Sequence, residues 1–147
     1  MSRAAPMTTN GMSHELGYLI KEAQQTIRNK MDKDLAELGL TTPQYSVLSE
    51  LEEFPGLSSA DLARKSFVTP QTMNLIVQKL EERQLVRRYE SKTHGKIIST
   101  EITAEGAELL ALAHQRVREV QAQIFGSLSA GEVATLSSLL KKLRGRG

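Results

Sequence analysis

Apolar residues return every three or four positions along nearly all of this chain, and one stretch breaks the period. From Leu85 to Thr103 the segments LVRRYE and KIISTEIT are instead rich in β-branched side chains, with Ile98, Thr100 and Ile102 alternating with polar or less buried neighbours. Between them SKTHG supplies turn residues ending in glycine, so the pair reads as a β-hairpin. One hairpin set among amphipathic helices predicts a mainly α fold in which a small ribbon is attached to a helical body.

The helices are marked by their ends. Ser13 stands at an N-cap position, and Leu16, Leu19, Ile20, Ala23, Ile27, Met31, Leu35 and Leu38 follow at helical spacing until Gly39 ends the run as a left-handed residue. Thr42-Pro43 restarts the chain, with threonine as cap, and a second helix carrying Tyr45, Val47, Leu48 and Leu51 runs to the break at Phe54-Pro55-Gly56. Ser58 with Asp61 forms a capping box for a short third helix bearing Leu62, Ala63 and Phe67. Thr69-Pro70 opens a fourth, in which Met73, Ile76, Val77 and Leu80 share one face. Beyond the hairpin, Thr103 caps a fifth helix with Leu109, Leu110, Ala113, Val117, Val120 and Ile124 on one stripe, and Ser129 with Glu132 opens a sixth with Val133, Leu136, Leu139, Leu140 and Leu143. Six helices plus a β-hairpin wing, with the short helices two to four leading into the hairpin, describe a winged helix-turn-helix over 42–103. The long helices over 13–38 and 104–147 flank it as dimerisation helices, and residues 1–12 form a flexible arm on this single domain.

At 147 residues the chain is long enough for one domain with its own core, and 39% apolar against 24% charged residues sets it apart from disordered tails. No apolar run approaches the ~18 residues of a membrane-spanning helix. The arm has one arginine and no apolar segment of the kind a secretory signal needs, so the expected location is cytoplasmic, with no membrane partner. The absence of cysteine removes disulfides, thiolate metal sites and a thiol nucleophile or redox switch. His14, His94 and His114 are scattered, so neither a metal nor another cofactor is expected. There is no Gly-rich phosphate loop, no G-x-S-x-G and no paired-histidine motif, so no residue is assigned to catalysis and the chain is not read as an enzyme.

Charge and the fourth helix point elsewhere. The formal net charge is only +2, yet residues 62–96 carry Arg64, Lys65, Lys79, Arg83, Arg87, Arg88, Lys92 and Lys96 against Glu81, Glu82 and Glu90. With Met73, Ile76, Val77 and Leu80 committed to the core, the opposite face and first turn of the fourth helix carry Gln71, Thr72, Asn74, Gln78 and Lys79. Amides pair with adenine N6 and N7 in the major groove, and threonine offers a hydroxyl and a methyl. Ser58, Thr69 and Arg64 stand where phosphate would be met, two of them at helix N-termini. The hairpin adds Arg87, Arg88, Lys92, His94 and Lys96, a basic ribbon suited to a minor groove. Polar residues facing water, and a hairpin edge protected by charge, would use the same residue types.

The segments LTTPQYSVLSEL, LSSADLARKSFVTPQTMNLIVQKLEERQLVRR and ISTEITAEG, in this order of elements, resemble the multiple antibiotic resistance regulator (MarR) family of winged-helix repressors over roughly residues 13–143. That resemblance implies a homodimer on a pseudo-palindromic duplex, with the fourth helix in the major groove and the wing in the minor groove. It also implies release by a small aromatic or anionic effector, whose binding residues it does not carry over. Three positions depart from the family pattern: His94-Gly95-Lys96 replaces the Asp-x-Arg wing tip, Leu75 stands where arginine is common, and Gln84 where a helix-ending glycine is common. The apolar stripes of the flanking helices, through Leu16, Leu19, Ile20, Val117, Val120, Ile124, Val133, Leu136 and Leu140, are the expected dimer interface. The function read from all this is a sequence-specific duplex-DNA-binding transcriptional regulator, a ligand-responsive repressor. The alternative is a winged helix that binds protein or RNA without specific duplex recognition. The six aromatics form no obvious base-stacking pair, which counts against single-stranded RNA.

Overall fold

Every helix whose cap is seen begins where a hydroxyl can accept a hydrogen bond from the backbone of its first turn, and these caps set the element order in the computed structural model. It describes residues 9–91 and 97–144. The elements are α1 (Thr9–Ala36), α2 (Thr42–Glu53), α3 (Ser59–Ser66), α4 (Pro70–Glu82), β1 (Val86–Glu90), β2 (Ile98–Ile102), α5 (Ala104–Phe125) and α6 (Ala130–Leu143). This is the mainly α winged helix-turn-helix order read from the sequence. Ser58 and Ser129 close capping boxes with Asp61 and Glu132, Thr69 caps α4, and Thr103 Oγ1 accepts from Gly106 N at 3.0 Å at the start of α5. Gly39 takes the left-handed conformation (φ +74°) after α1.

Four local expectations are corrected. Helix α1 begins at Thr9, so Ser13 lies inside it and residues 9–12 are helical: no proline intervenes, and one glycine costs a helix only about 1 kcal/mol. The cap of α2 is Thr41, whose side chain accepts from Gln44 N, while the Thr42 hydroxyl donates to Asp32 Oδ1. Proline is allowed anywhere in the first turn, so Pro43 did not fix which threonine caps. Phe67 is not on the apolar face of α3. It is the left-handed residue that ends that helix (φ 56°), and it is 96% exposed. On β2, Ser99 and Thr100 are buried and Ile98 is exposed, because a two-stranded ribbon leaves its outer end open on both sides.

The chain divides into two compact units, Asp32–Glu119 and a second made of Met1–Met31 with Val120–Gly147. The first holds the core: Leu35, Val47, Leu48, Leu51, Leu62, Met73, Val77, Leu80, Val86 and Leu110 are wholly or almost wholly removed from solvent. Each such side chain contributes roughly 1.5–3 kcal/mol. Strands β1 and β2 pair antiparallel, with Val86 opposite Ile102 and Glu90 opposite Ile98. The α2–α3 loop joins the ribbon through Gly56 N to Thr100 O at 3.0 Å and Thr100 N to Leu57 O at 2.9 Å. Within the same unit α2 is tied to α5 by a polar chain: the Tyr45 hydroxyl lies 2.8 Å from His114 Nδ1, and His114 Nε2 lies 3.0 Å from Glu52 Oε1. Burial raises the Tyr45 phenol above its ordinary value, so it stays protonated.

In the other unit Val120 is the one buried residue among those described. Lys30 Nζ donates to Gln123 Oε1 at 2.7 Å there. Leu16, Leu19 and Ile20 on α1 and Val133, Leu136, Leu139, Leu140 and Leu143 on α6 are exposed. On α5 the outcome differs from the expected interface stripe: Val117 and Val120 are buried by their own chain and Ile124 is half-buried. Val117 and Val120 sit on the side of the helix that the single chain already covers.

Gly106 is a position where side-chain size is critical. A Cβ there would stand 2.1 Å from the Leu85 carbonyl oxygen, whereas one at Gly17, inside α1, would meet nothing within 4 Å. Gly106→Ala is expected to cost more than about 3 kcal/mol by forcing backbone apart, and Gly17→Ala to stabilise by about 0.5–1 kcal/mol. Urea unfolding of both variants checks this, and a mild loss at Gly106 would contradict the close approach.

Candidate nucleic-acid interface

Helix α4 divides cleanly by face. Met73, Val77 and Leu80 are buried and Ile76 half-buried, while Gln71, Thr72, Asn74, Leu75, Gln78 and Lys79 are exposed. The division follows from 3.6 residues per turn acting on a helix packed on one side by α2 and α3. The helix starts sharply because Thr69 Oγ1 accepts from Thr72 N at 3.1 Å and Pro70 follows with its φ already helical. Ser58 does the same for α3, accepting from Asp61 N at 3.1 Å. The backbone N–H hydrogen bond from Ser58 holds the Asp61 carboxyl below its ordinary value. Ser58 and Thr69 are thus caps in the first place, each set at a helix N-terminus where the dipole favours an anion.

The basic residues are less free than their number suggested. Arg64 is paired with Asp61, and Arg87 with Glu101 directly across the ribbon. Arg83 donates to the Gly39 carbonyl, and Lys65 lies over the Phe54 ring at 4.4 Å, near Glu50. Arg64 and Arg87 are exposed pairs of the kind worth little in water, so both guanidinium groups can turn to another anion. Lys79 is exposed at the far end of α4.

Arg88 is different. Its Nη2 and Nε donate to Glu81 Oε1 at 2.8 and 3.2 Å, and Nη1 reaches Asn74 Oδ1 at 3.4 Å. The hydrogen bond from Arg88 holds the Glu81 carboxyl below its ordinary value. Half-buried and held by two groups of α4, this arginine braces β1 against the helix. Because the guanidinium engages Oδ1, the Asn74 amide has its NH2 left to donate outward. Glu81 was missed in the sequence; the signal for it was its position two turns after Asn74, on the same side of the helix.

Lys92, His94 and Lys96 lie outside the described residues, so the wing tip adds nothing to this geometry. Among the described residues no group of three histidine or acidic side chains could hold a metal ion. His114, one of the scattered histidines, is instead engaged by Tyr45 and Glu52. A groove of about 580 Å³ runs between the start of α3 and β2, lined by Gly56, Ser58, Ala60, Asp61, Arg64, Ile97 and Ser99.

The fold and the polar outward face of α4 define a winged helix-turn-helix protein. A family profile described as "MarR family" matches residues 38–97. The chain is similar to the HTH-type transcriptional repressor Rv2887 of Mycobacterium tuberculosis, 38% identical over 128 residues that cover 87% of this chain and 92% of the relative. A crystal structure of Rv2887 in complex with DNA superposes with a TM-score of 0.75 at 33% identity, covering 97% of this chain and all of that one. A second, of Rv2887 in complex with p-aminosalicylic acid, gives 0.73 at 37% identity, covering 87% and 97%. The chain therefore belongs to the MarR family of transcriptional regulators.

Removing the carboxylate that engages Arg88 should release one cation per chain. Glu81→Ala is expected to raise affinity for random duplex DNA and to steepen its salt dependence by about 0.9 in log–log slope for each Arg88 that reaches a phosphate. Lowering the pH works in the same direction: the pair is intact above the ordinary carboxylate range and is lost as the pH falls through the lowered Glu81 value. Fluorescence anisotropy at several salt concentrations reads the slope. An unchanged slope in Glu81→Ala would show that Arg88 faces away from DNA even when freed.

Proposed function

We propose that this MarR-family regulator acts as a homodimeric repressor, without catalysis, that binds a pseudo-palindromic duplex in the cytoplasm and leaves it when a small aromatic or anionic effector binds. The observation that carries the reading is the outward face of α4, where Gln71, Thr72, Asn74, Gln78 and Lys79 are exposed opposite the buried Met73, Val77 and Leu80. Such a face offers hydrogen-bond groups to base edges in a major groove. Support for duplex DNA as the partner comes from the complex of Rv2887 with DNA, and for a small acidic aromatic effector from its complex with p-aminosalicylic acid. No helix among the described residues is long and apolar enough to cross a membrane, in keeping with a regulator that must reach DNA.

Residues 42–103 form the DNA-binding part in this reading, and 13–38 with 104–147 the dimerisation part. Ser58 and Thr69 hold the N-termini of α3 and α4 toward phosphate, and Arg64 and Arg87 exchange their internal partners for phosphate on binding. Lys92, His94 and Lys96 extend the basic ribbon by their sequence. The homodimer is supported by the unit built from Met1–Met31 and Val120–Gly147, in which Val120 is the one buried residue among those described. Its exposed leucines, isoleucine and valine on α1 and α6 form more apolar surface than a monomer ordinarily leaves open.

Selection of preferred sequences from a random duplex pool tests the reading. An enriched inverted repeat is expected, and Asn74→Ala should lose about 1–3 kcal/mol on that site and little on random DNA. Enrichment of no sequence, or sedimentation as a monomer at micromolar concentration, would overturn it.

A further inference from the structure

Leu75 is the large apolar side chain that α4 leaves in solvent, 61% exposed. The helix does not need it for packing, since Met73, Val77 and Leu80 on the other side are completely or almost completely buried. A single exposed leucine is ordinary on a protein surface. This one is placed at the centre of the polar stripe: Gln71 and Thr72 lie one turn before it, and Gln78 and Lys79 one turn after, all exposed. It is the sixth residue of α4, about 7–8 Å along the axis from Pro70, within the N-terminal half by which recognition helices approach base edges.

Leucine has neither donor nor acceptor. Against a base edge that presents only hydrogen-bonding groups it would displace water and return nothing, which is a penalty. The major-groove edges of the four bases carry one apolar group, the C5-methyl of thymine. We infer that Leu75 is a specificity-determining residue that recognises thymine by packing on its 5-methyl group. The inference rests on the reading of α4 as the base-reading helix and adds the base class that its central position selects. The outward-donating Asn74 amide beside it is compatible with an acceptor such as thymine O4 at the neighbouring contact.

Deoxyuridine isolates the methyl, because it keeps the O4 acceptor and the pairing of thymine and lacks only that group. After selection of a preferred duplex with the full chain, each thymine is replaced by deoxyuridine, symmetrically in both half-sites, and Kd is measured for the wild type and Leu75→Ala. At one thymine position the wild type should weaken by about fourfold per half-site, the worth of one buried methyl-sized group. Leu75→Ala should show no loss at that position, with unchanged helical content. Equal deoxyuridine penalties in both proteins at every position would overturn the inference while leaving sequence-specific binding intact. A change of oligomeric state in Leu75→Ala with unaltered methyl dependence would also overturn it, assigning the side chain to a protein contact. If the pool yields no preferred sequence, the reading of α4 itself falls, and the thymine contact with it.

Discussion

The carbonyl of Leu85 is the point on which the unit Asp32–Glu119 turns. It accepts from Thr103 N at 3.0 Å, and α5 crosses it so closely at Gly106 that no side chain fits between. One residue earlier, the Gln84 carbonyl accepts from the Thr103 hydroxyl at 2.7 Å, with Gln84 itself in the left-handed region (φ 62°). These contacts pin the end of α4, the root of both strands and the start of α5 to one another. The register of the ribbon follows from them, since Val86 must then face Ile102. A non-glycine residue at positive φ costs about 1 kcal/mol or more, a cost the packed junction around it offsets.

From that junction β1 runs along α4, which is why Arg88 can reach Glu81 and Asn74 at once. The arrangement gives the basic segment a structure that its charge count hides. Of its six described basic residues, only Lys79 has no partner named within the fold, and the other five are tied to acidic groups, a carbonyl or an aromatic ring. A surface built in this way is weakly attractive to any polyanion at random. It gains on a correctly placed one, because exposed ion pairs exchange partners at little cost while the half-buried Arg88 keeps the helix braced. Under the proposed reading, selectivity then falls to the short uncharged side chains of α4, whose hydrogen bonds would form only with the right bases.

The other unit presents the opposite situation. Its helices are amphipathic, and Ser129 and Glu132 close a full capping box on α6, yet α6 buries no residue in the single chain. Helix formation is secured locally there and burial is not. Under the proposed reading a second copy supplies the missing surface, so that folding of this unit and dimerisation are one event and the stability of the protein depends on its concentration.

Much of this was legible in the order of residues. The capping boxes at Ser58 and Ser129, the Thr69-Pro70 start, the stop at Gly39 and the single departure from helical period at Leu85 are local chemistry, decided by a few neighbouring residues, and they were enough for the element order and for the outward face of α4. What failed were questions that local chemistry leaves degenerate. Thr41 and Thr42 are equally able caps, and packing chose the first. Phe67 carries the hydrophobicity of a core residue but sits at a helix end whose left-handed turn points it to solvent. Val117 and Val120 share one apolar stripe with Ile124, and only the three-dimensional path of the chain determines how much of that stripe the protein covers itself. The same holds for charge: the sequence by itself determined how many cations lie near α4, whereas the pairing of Arg88 with Glu81 and Asn74 joins residues from a strand and a helix. Such pairings depend on how a strand and a helix meet in space, which residues adjacent in the sequence do not fix.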